Sequence, residues 1–344
     1  MAFSKIIGQE KAKEALMKAM AKEKLPHAYL FTGIPGIGKT STARALAMAL
    51  NCPDTSDGES CGKCPSCRQM LGVNSPDFLI VKRESNSQVI KIEQIRELNR
   101  SLSFAPFGKY RICVFAQAER MNVEAANSFL KTLEEPPPGN VLVLNTTEPR
   151  DLLPTIVSRC QKIRFQPLSR ADITQWLVRN KNVDEDTAGV LGAVSGGSLG
   201  RALVMCDGDF LEKRLLWLSR IEKLAEIPRD TAFSLASLCA DEAKKIGLDP
   251  SDSVSAGILD VLSLWGSWYR DVLFLKIDAP AHLVVNMDFI GKLKKIERSF
   301  KIEHLVESLW LIDQAQRDLR KSHNIRLVVE YTAMRLNRLA TSCN

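Results

Sequence analysis

The sequence predicts an α/β domain with a parallel sheet, followed by a helical lid and an all-α C-terminal domain. Short, nearly all-apolar runs alternate with helical patterns through the first part of the chain, which is the rhythm of strand–helix–strand units. Beyond Pro167 the strand patterns fade, and helical periodicity continues to the end of the chain. A glycine-rich segment at 195–200 and an acidic segment near 207–209 interrupt the helical pattern of that half. We therefore predict three parts, at 1–166, 167–207 and 208–344.

The first elements are a helix, a strand, a glycine loop and a second helix. Residues 8–24 carry alanine, leucine and methionine at helical spacing, and Pro26 closes this helix. AYLFTG (28–33) is a short apolar run that ends in glycine, which predicts a strand and a loop. TSTARALAMAL (40–50) is rich in helix-forming residues, so the order at this point is strand, loop, helix.

Three further strands are predicted from the runs DFLIV (77–81), RICVF (111–115) and VLVLNT (141–146). Runs this apolar are typical of parallel strands that are buried on both faces. Helical patterns around 92–98 and 125–133 lie between them, and the second is stopped by three consecutive prolines.

Composition places the chain among ordinary globular proteins. Its 344 residues are 45% hydrophobic and 25% charged, which excludes disordered, collagen-like and coiled-coil classes as descriptions of the whole. The formal net charge of +7 permits contact with nucleic acid without requiring it. No apolar run approaches the roughly 18 residues that span a bilayer, and the N-terminus lacks the apolar stretch of a signal peptide. We expect a cytoplasmic protein with no membrane partner.

The glycine loop matches the phosphate-binding motif G-x-x-x-x-G-K-[ST], and it lies after a predicted strand and before a predicted helix. Glycines let successive backbone N–H groups face one concavity, and the helix N-terminus adds partial positive charge there. The lysine would reach the terminal phosphates, and the threonine hydroxyl would bind Mg²⁺. The sequence therefore predicts an ATP or ADP site with Mg²⁺ at Gly33, Gly36, Gly38, Lys39 and Thr40.

The residues that would hydrolyse the nucleotide are missing. Hydrolysis needs an acidic residue at the end of a second strand, with a carboxylate that activates water. The strand RICVF runs instead into Ala116 and Gln117, and the first carboxylate after it is Glu119. We expect the following turn to carry Glu119 away from the phosphates, which predicts binding without turnover. The alternative is a competent ATPase in which Glu119 replaces the missing acid.

Four of the nine cysteines lie within sixteen residues, in the pattern C-x₈-C-x₂-C-x₂-C. Four thiolates suit one tetrahedral Zn²⁺ and leave no open coordination position, which favours a structural site in a module at about 51–75. An iron–sulfur cluster is the alternative for this ligand set. The predicted ligands are Cys52, Cys61, Cys64 and Cys67. The other five cysteines are interpreted as buried hydrophobes or unreactive thiols.

Together these features resemble the clamp-loader subunits of bacterial DNA polymerase III, which are AAA+ proteins, and most closely the delta-prime type. The resemblance covers most of the chain. It depends on the position of the cysteine module directly after the phosphate-loop helix, and on the segments IIGQEKAKEAL, LPHAYLFTGIPGIGKT, ANSFLKTLEEPPP and TIVSRCQKIRF.

The resemblance implies roles for residues that composition and spacing do not single out. In that family the Ser-Arg-Cys motif carries an arginine finger that reaches the ATP of an adjacent subunit, which here implies Arg159. Without the motif, a surface ion pair would be the default interpretation of that arginine. The sensor-1 position falls on 145–147, with Thr146 the best match. Gly200 stands where ATP-hydrolysing relatives have the sensor-2 arginine, and Arg201 follows one place later.

The implied function is that of a non-hydrolysing subunit of the DNA polymerase holoenzyme that helps to load a sliding clamp onto primer-template DNA. The implied partners are the delta and gamma/tau subunits, the clamp and, through the complex, DNA. One alternative is an ATP-hydrolysing gamma/tau-type motor subunit. Another is a zinc-stabilised DNA-binding module that uses the basic residues of 292–298, although such a run is also typical of a solvated helix face.

Overall fold

The computed structural model describes residues 2–72, 75–84, 87, 89–224, 228, 255–320 and 324–341. The chain divides into two units. The first comprises Met1–Ile173 and Gly197–Gly200, and the second comprises Thr174–Gly196 and Arg201–Asn344. The three-part division predicted from the sequence stays a prediction, and the part of its last domain at 229–254 lies outside the described residues, as do Cys239 and Cys343.

The first unit is built on a five-stranded parallel sheet with the order β2-β3-β4-β1-β5. The predicted α/β class and its four predicted strands are confirmed. The fifth strand was not predicted, because only Ile163 of its four residues is buried and no apolar run marks it. The strands are β1 (Ala28–Thr32), β2 (Phe78–Val81), β3 (Arg111–Phe115), β4 (Asn140–Thr146) and β5 (Gln161–Arg164).

Six helices cover the two faces of this sheet. Alternate residues of a strand point to opposite faces, so Tyr29 and Phe31 join one apolar cluster while Ala28 and Leu30 join the other. The first cluster includes residues of the first three helices, and the second includes residues of the next three. The helices are α1 (Glu10–Ala21), α2 (Lys39–Asn51), α3 (Pro65–Leu71), α4 (Ile92–Leu102), α5 (Val123–Glu134) and α6 (Pro154–Val157).

The strand order places the glycine loop where a parallel sheet binds ligands. The carboxyl ends of parallel strands meet at one edge, and ligands bind outside that edge where the strand order reverses. Thr32 ends β1 directly beside Thr146, the last residue of β4. The loop that follows β1 therefore lies next to the residues that end β4.

The second unit is helical throughout its described residues, as predicted. Three tryptophans, Trp217, Trp265 and Trp268, are buried in its core. The helices that lie wholly or mainly in it are α7 (Arg170–Lys181), α8 (Glu185–Val194), α9 (Leu199–Asp207), α10 (Phe210–Leu224), α11 (Ser255–Lys276), α12 (Ile290–Glu297), α13 (Ile302–Arg320) and α14 (Ile325–Thr341). None of the described helices is long and apolar enough to cross a membrane.

A buried polar network fixes the segment that leads into α12. The guanidinium of Arg214, on α10, donates to both carboxylate oxygens of Asp288 at 2.6 and 2.9 Å and to Asn286 Oδ1 at 2.7 Å. The carboxylate of Asp271, on α11, accepts from the backbone N–H and the side-chain amide of Asn286 at 2.7 and 2.8 Å. Buried charge is tolerated here because each group has close partners.

Candidate functional site

The glycine loop has the backbone conformation that its sequence predicts. Gly33, Gly36 and Gly38 have φ values of 145°, 72° and 104°, which side chains with a Cβ rarely adopt. A Cβ at Gly33 would lie 2.8 Å from the carbonyl oxygen of Phe165, so only glycine fits that position. Helix α2 begins at Lys39, directly after Gly38. The loop therefore joins β1 to a helix N-terminus, as a phosphate site requires.

Lys39 is buried within its own loop, with 9% of its surface exposed. Its Nζ donates to the carbonyl oxygens of Gly33 and of Ile34, the latter at 3.0 Å. Burial lowers the pKa of Lys39 to about 8, and the negative charge of Glu119 opposes that shift. The ammonium group is thus held at the loop by weak neutral acceptors, which an anionic phosphate would outcompete.

Asn145 and Thr146, the last two residues of β4, lie next to the glycine loop. The side-chain amide of Asn145 donates to the Thr40 hydroxyl at 3.0 Å, and its Oδ1 is buried with no hydrogen-bond partner among the described residues. The hydroxyl of Thr146 donates to the carbonyl oxygen of Glu148 at 3.0 Å. The residue that touches the predicted Mg²⁺ ligand is therefore Asn145, the neighbour of the predicted sensor residue.

Glu119 lies at this site, and the expectation that the turn carries it away is wrong. A 3-10 turn does follow β3, at Ala118–Arg120, but the Glu119 carboxyl interacts with the charge of Lys39 and with the Thr146 hydroxyl. Burial raises the pKa of the Glu119 carboxyl, while the Thr146 hydroxyl and the charge of Lys39 lower it. Its Oε2 is buried and accepts no hydrogen bond from the described residues.

The donor set fits a nucleotide with Mg²⁺. The loop offers a helix N-terminus and a lysine for phosphate, and Thr40 offers a hydroxyl for the metal. The unpartnered oxygens of Asn145 and Glu119 are of the kind that accept hydrogen bonds from the water shell of Mg²⁺. Strand β3 ends at Phe115, and the two residues that follow it, Ala116 and Gln117, carry no carboxylate.

The four clustered cysteines converge on one point. Their sulfur atoms all lie within 4.8 Å of one another, and those of Cys52 and Cys64 are 4.0 Å apart. Backbone N–H groups of Cys61, Cys64 and Cys67 donate to the sulfurs of Cys52, Cys61 and Cys64 at 3.3–3.4 Å. Cys52 ends α2 and Cys64 caps α3, so the module is an insertion between that helix and β2.

This cluster fits Zn²⁺. Four sulfurs at about 2.3 Å from a central ion are roughly 3.8 Å apart, close to the observed spacing. The N–H groups of Lys63 and Cys64 lower the pKa of the Cys61 thiol to about 6, whereas burial raises that of Cys67 to about 12. A bound cation would favour the thiolate at all four positions. With four protein ligands, the ion would have a structural role.

We expect one Zn²⁺ per purified chain, and Cys64→Ser should weaken its binding. Losing one of four ligands removes about a quarter of a binding free energy of 10–16 kcal/mol, which is roughly 100- to 1,000-fold in affinity. Elemental analysis after dialysis against a weak chelator measures this, with Cys206→Ser, outside the cluster, as the control. Iron in place of zinc, or a metal-free wild-type chain, would contradict the assignment.

Arg159 lies at the opposite end of the sheet from the glycine loop. Arg159 precedes β5, whose first residue pairs with Tyr29 and whose last residue pairs with Thr32, just before the glycine loop. The length of β5, about 10 Å, therefore separates Arg159 from the edge of the sheet at which the loop lies. The guanidinium donates from Nη1 to the carbonyl oxygen of Thr155 at 2.9 Å and from Nη2 to Glu134 Oε1 at 2.5 Å. About 35% of the side chain is exposed. Neither partner belongs to the nucleotide loop.

Gly197–Gly200, the part of the first unit that leads into α9 and includes its first two residues, contacts the glycine loop. Ser198 Oγ donates to the carbonyl oxygen of Pro35 at 2.8 Å. The backbone N–H of Gly200 donates to the carbonyl oxygen of Gly36, also at 2.8 Å. A Cβ at Gly200 would lie 2.8 Å from the Cα of Gly36, so an arginine does not fit there. The guanidinium of Arg201 instead donates to Asp260 at 2.7 Å. Burial raises the pKa of the Asp260 carboxyl to about 6, against the opposing effect of Arg201.

Sequence reasoning missed two residues of the nucleotide site and the ion pair of Arg159. The alternation of β4 could have identified Asn145, because it shares a face with Val141 and Val143, which pack toward α2. The position of Glu119 depends on a short turn that no motif marks. The pairing of Glu134 with Arg159 joins residues 25 positions apart, and no local pattern links them.

Comparison with known proteins gives concordant matches. The family described as DNA polymerase III, delta subunit, matches residues 8–169. The tau subunit of DNA polymerase III from Bacillus subtilis is 26% identical over 354 aligned residues, covering 97% of this chain and 61% of that protein. The delta' subunit from the same organism is 27% identical over 329 aligned residues, which cover 95% of this chain and 96% of that protein. The chain thus spans less than two thirds of the tau relative.

Among solved structures, a gamma subunit-related protein of DNA polymerase III from Thermotoga maritima is 18% identical. The match covers 96% of this chain and 99% of that one, with a TM-score of 0.43.

Proposed function

We propose that the chain is a clamp-loader subunit of the delta-prime type, because the family described as DNA polymerase III, delta subunit, matches residues 8–169. In this role it assembles with delta and gamma/tau subunits in the bacterial cytoplasm. The complex loads a sliding clamp onto primer-template DNA. Similarity to a delta' subunit supports this type, and Ala116 and Gln117, which stand where an ATP-hydrolysing subunit would have acids, favour it over the tau type.

The observation that carries the proposal is the position of Arg159. Because it precedes β5, at the edge of the sheet away from the glycine loop, its guanidinium serves a nucleotide on another subunit and not its own. An arginine keeps its charge and can grip two phosphate oxygens at once. In the complex, Arg159 stabilises the charge that develops on the neighbour's transferred phosphoryl group.

The chain's own loop binds nucleotide without turning it over. Gly33, Gly36 and Gly38 shape the loop. Lys39 neutralises the phosphates, and Thr40 would hold Mg²⁺. Thr146, at the end of β4, is the sensor residue of the site. Bound Mg²⁺ would supply positive charge that offsets the negative charge of the phosphates. Asn145 orients the Thr40 hydroxyl through its amide. With Ala116 and Gln117 at the end of β3, no residue there removes a proton from water.

One observation favours the alternative, an ATP-hydrolysing gamma/tau-type subunit. The carboxyl of Glu119 lies within electrostatic reach of Lys39. However, burial raises its pKa, so the group is a poorer metal ligand than an exposed carboxylate, and Ala116 leaves it without a second acid. Ala116 and Gln117 leave Glu119 without the second acid that hydrolysis needs, which favours the delta-prime type.

An apolar face in the helical unit supports assembly with other subunits. Trp310 on α13 and Leu327 and Tyr331 on α14 line one groove, and they are 60%, 65% and 55% exposed. Large aromatic side chains exposed together mark protein–protein contacts, since burial against a partner stabilises them. This face fits the collar through which the subunits join.

Trp310→Ala is expected to weaken assembly about 30-fold, because a buried tryptophan at such a contact contributes about 2 kcal/mol. The chain's own melting temperature should change little, since the side chain is mostly exposed in the free subunit. Sedimentation of the chain with purified delta and gamma/tau subunits measures this. Leu215→Ala, an exposed apolar residue on α10, is the control. Failure of the wild-type chain to join the complex would refute the proposed function.

A further inference from the structure

Glu134, the last residue of α5, makes a direct contact with the guanidinium of Arg159. Its Oε1 accepts a hydrogen bond from Nη2 at 2.5 Å, while the carbonyl oxygen of Thr155 accepts one from Nη1 at 2.9 Å. The same carbonyl also accepts from the Ser158 hydroxyl at 3.1 Å. Two acceptors, a side-chain carboxylate and a backbone carbonyl, therefore restrain a side chain that otherwise rotates about several bonds.

Stability does not account for this ion pair. The side chains of Arg159 and Glu134 are 35% and 51% exposed, and ion pairs this exposed contribute little to folding. Helix α5 is held instead by buried apolar residues such as Phe129 and Leu133. The side chain of Glu135, one position later, is equally accessible, and it makes no hydrogen bond or ion pair within the described part of the chain.

The geometry leaves the guanidinium able to bind a further anion. Arginine has five N–H donors, and the contacts with Glu134 and Thr155 use two of them. The remaining three can meet phosphate oxygens while the first two stay in place. Ordering a long side chain costs conformational entropy, and here that ordering precedes the arrival of the neighbour's nucleotide.

From these contacts, and on the premise of the proposed function, we propose that Glu134 is a positioning residue for the arginine finger. It touches no nucleotide and acts only through Arg159. Its removal should lower the turnover of the neighbouring site, because a mobile guanidinium meets the transition state less often in the correct orientation. It should not raise the KM for ATP, because the ground-state phosphates are held by the neighbour's own loop.

The test compares complexes reconstituted with wild-type chain, Glu134→Ala, Glu134→Gln and the control Glu135→Ala, on primed DNA with clamp. We expect kcat for ATP to fall about tenfold in Glu134→Ala with KM unchanged. Glu134→Gln should be intermediate, since its amide oxygen still accepts from Nη2 but carries no charge. Glu135→Ala should match wild type. Wild-type kcat in Glu134→Ala, together with an impaired Arg159→Ala complex, would overturn the inference and leave the proposed function intact.

A double variant separates positioning from any other role of Glu134. If the carboxylate acts only through the arginine, Glu134→Ala together with Arg159→Ala is no slower than Arg159→Ala alone. A further loss in the double variant would overturn the inference. A wild-type rate in Arg159→Ala itself would refute the proposed function instead, so the two failures are distinguishable.

Discussion

Arg159→Ala should slow hydrolysis of the neighbouring subunit's ATP by about 10³-fold, the lower end of what arginine fingers contribute. The loss should appear in turnover and not in nucleotide affinity, because the guanidinium interacts most strongly with charge that develops in the transition state. The chain itself should fold and assemble normally, since the side chain is partly exposed and its ion pair is weak. Single-turnover hydrolysis by the reconstituted complex on primed DNA and clamp measures the effect.

Arg159→Lys is the matched comparison for that experiment. An ammonium keeps the charge but loses the planar pair of donors, so its rate should fall between those of wild type and alanine. Its single nitrogen also cannot reproduce the separate contacts that Nη1 makes with Thr155 and Nη2 makes with Glu134. An unchanged rate in the alanine complex would make Arg159 an ordinary surface arginine.

Lys39→Ala should weaken binding of ATP to the isolated chain about 100-fold. Charge-assisted hydrogen bonds contribute up to about 3 kcal/mol each, and this ammonium is the loop's charged donor to phosphate. Calorimetric titration measures the affinity, with Lys24→Ala, an exposed lysine outside the loop, as the control.

The wild-type chain should hydrolyse ATP no faster than the Lys39→Ala variant, because β3 is followed by Ala116 and Gln117. Turnover that Lys39→Ala abolishes would favour the gamma/tau-type alternative.

The pH dependence of that binding follows from the lowered pKa of Lys39, about 8. The protonated amine is the form that binds phosphate, and the free chain loses this proton as pH rises through 8. The affinity for ATP should therefore fall between pH 7 and pH 9, and binding at pH 9 should take up protons. Lys39→Arg keeps its charge over this range, so its affinity should be nearly independent of pH. A flat profile in the wild-type chain would contradict the assignment of Lys39 as the phosphate donor.

Much of the fold could be predicted because the local signals agree with the tertiary structure. Strands β1, β3 and β4 are buried at every residue, and buried parallel strands are the kind that composition identifies. Strand β2 lies at the other edge of the sheet, but its four residues are all apolar, so composition marks it as well. Strand β5 lies at the edge with three of its four residues exposed, so hydrophobicity does not mark it. Its existence depends on pairing with β1, a contact between residues more than 130 positions apart.

The site shows the same division between local and non-local information. The loop glycines and the four cysteines are contiguous or nearly so, and the structure brings each set together as their spacing predicts. The contacts of Gly200 with Gly36 and of Arg201 with Asp260 join distant segments, and only the structure explains why no arginine stands at position 200. The family resemblance is confirmed, whereas the roles of Arg159 and Thr146 stay predictions.

The central claim is that this chain contributes an arginine to a neighbour's nucleotide and performs no hydrolysis at its own loop. It is tested most directly by the steady-state ATPase rates of two reconstituted complexes, one with Lys39→Ala in this chain and one with Arg159→Ala. We predict that the Lys39→Ala complex retains most of the wild-type rate and that the Arg159→Ala complex loses most of it. The reverse order, with hydrolysis lost in Lys39→Ala and retained in Arg159→Ala, would contradict the claim.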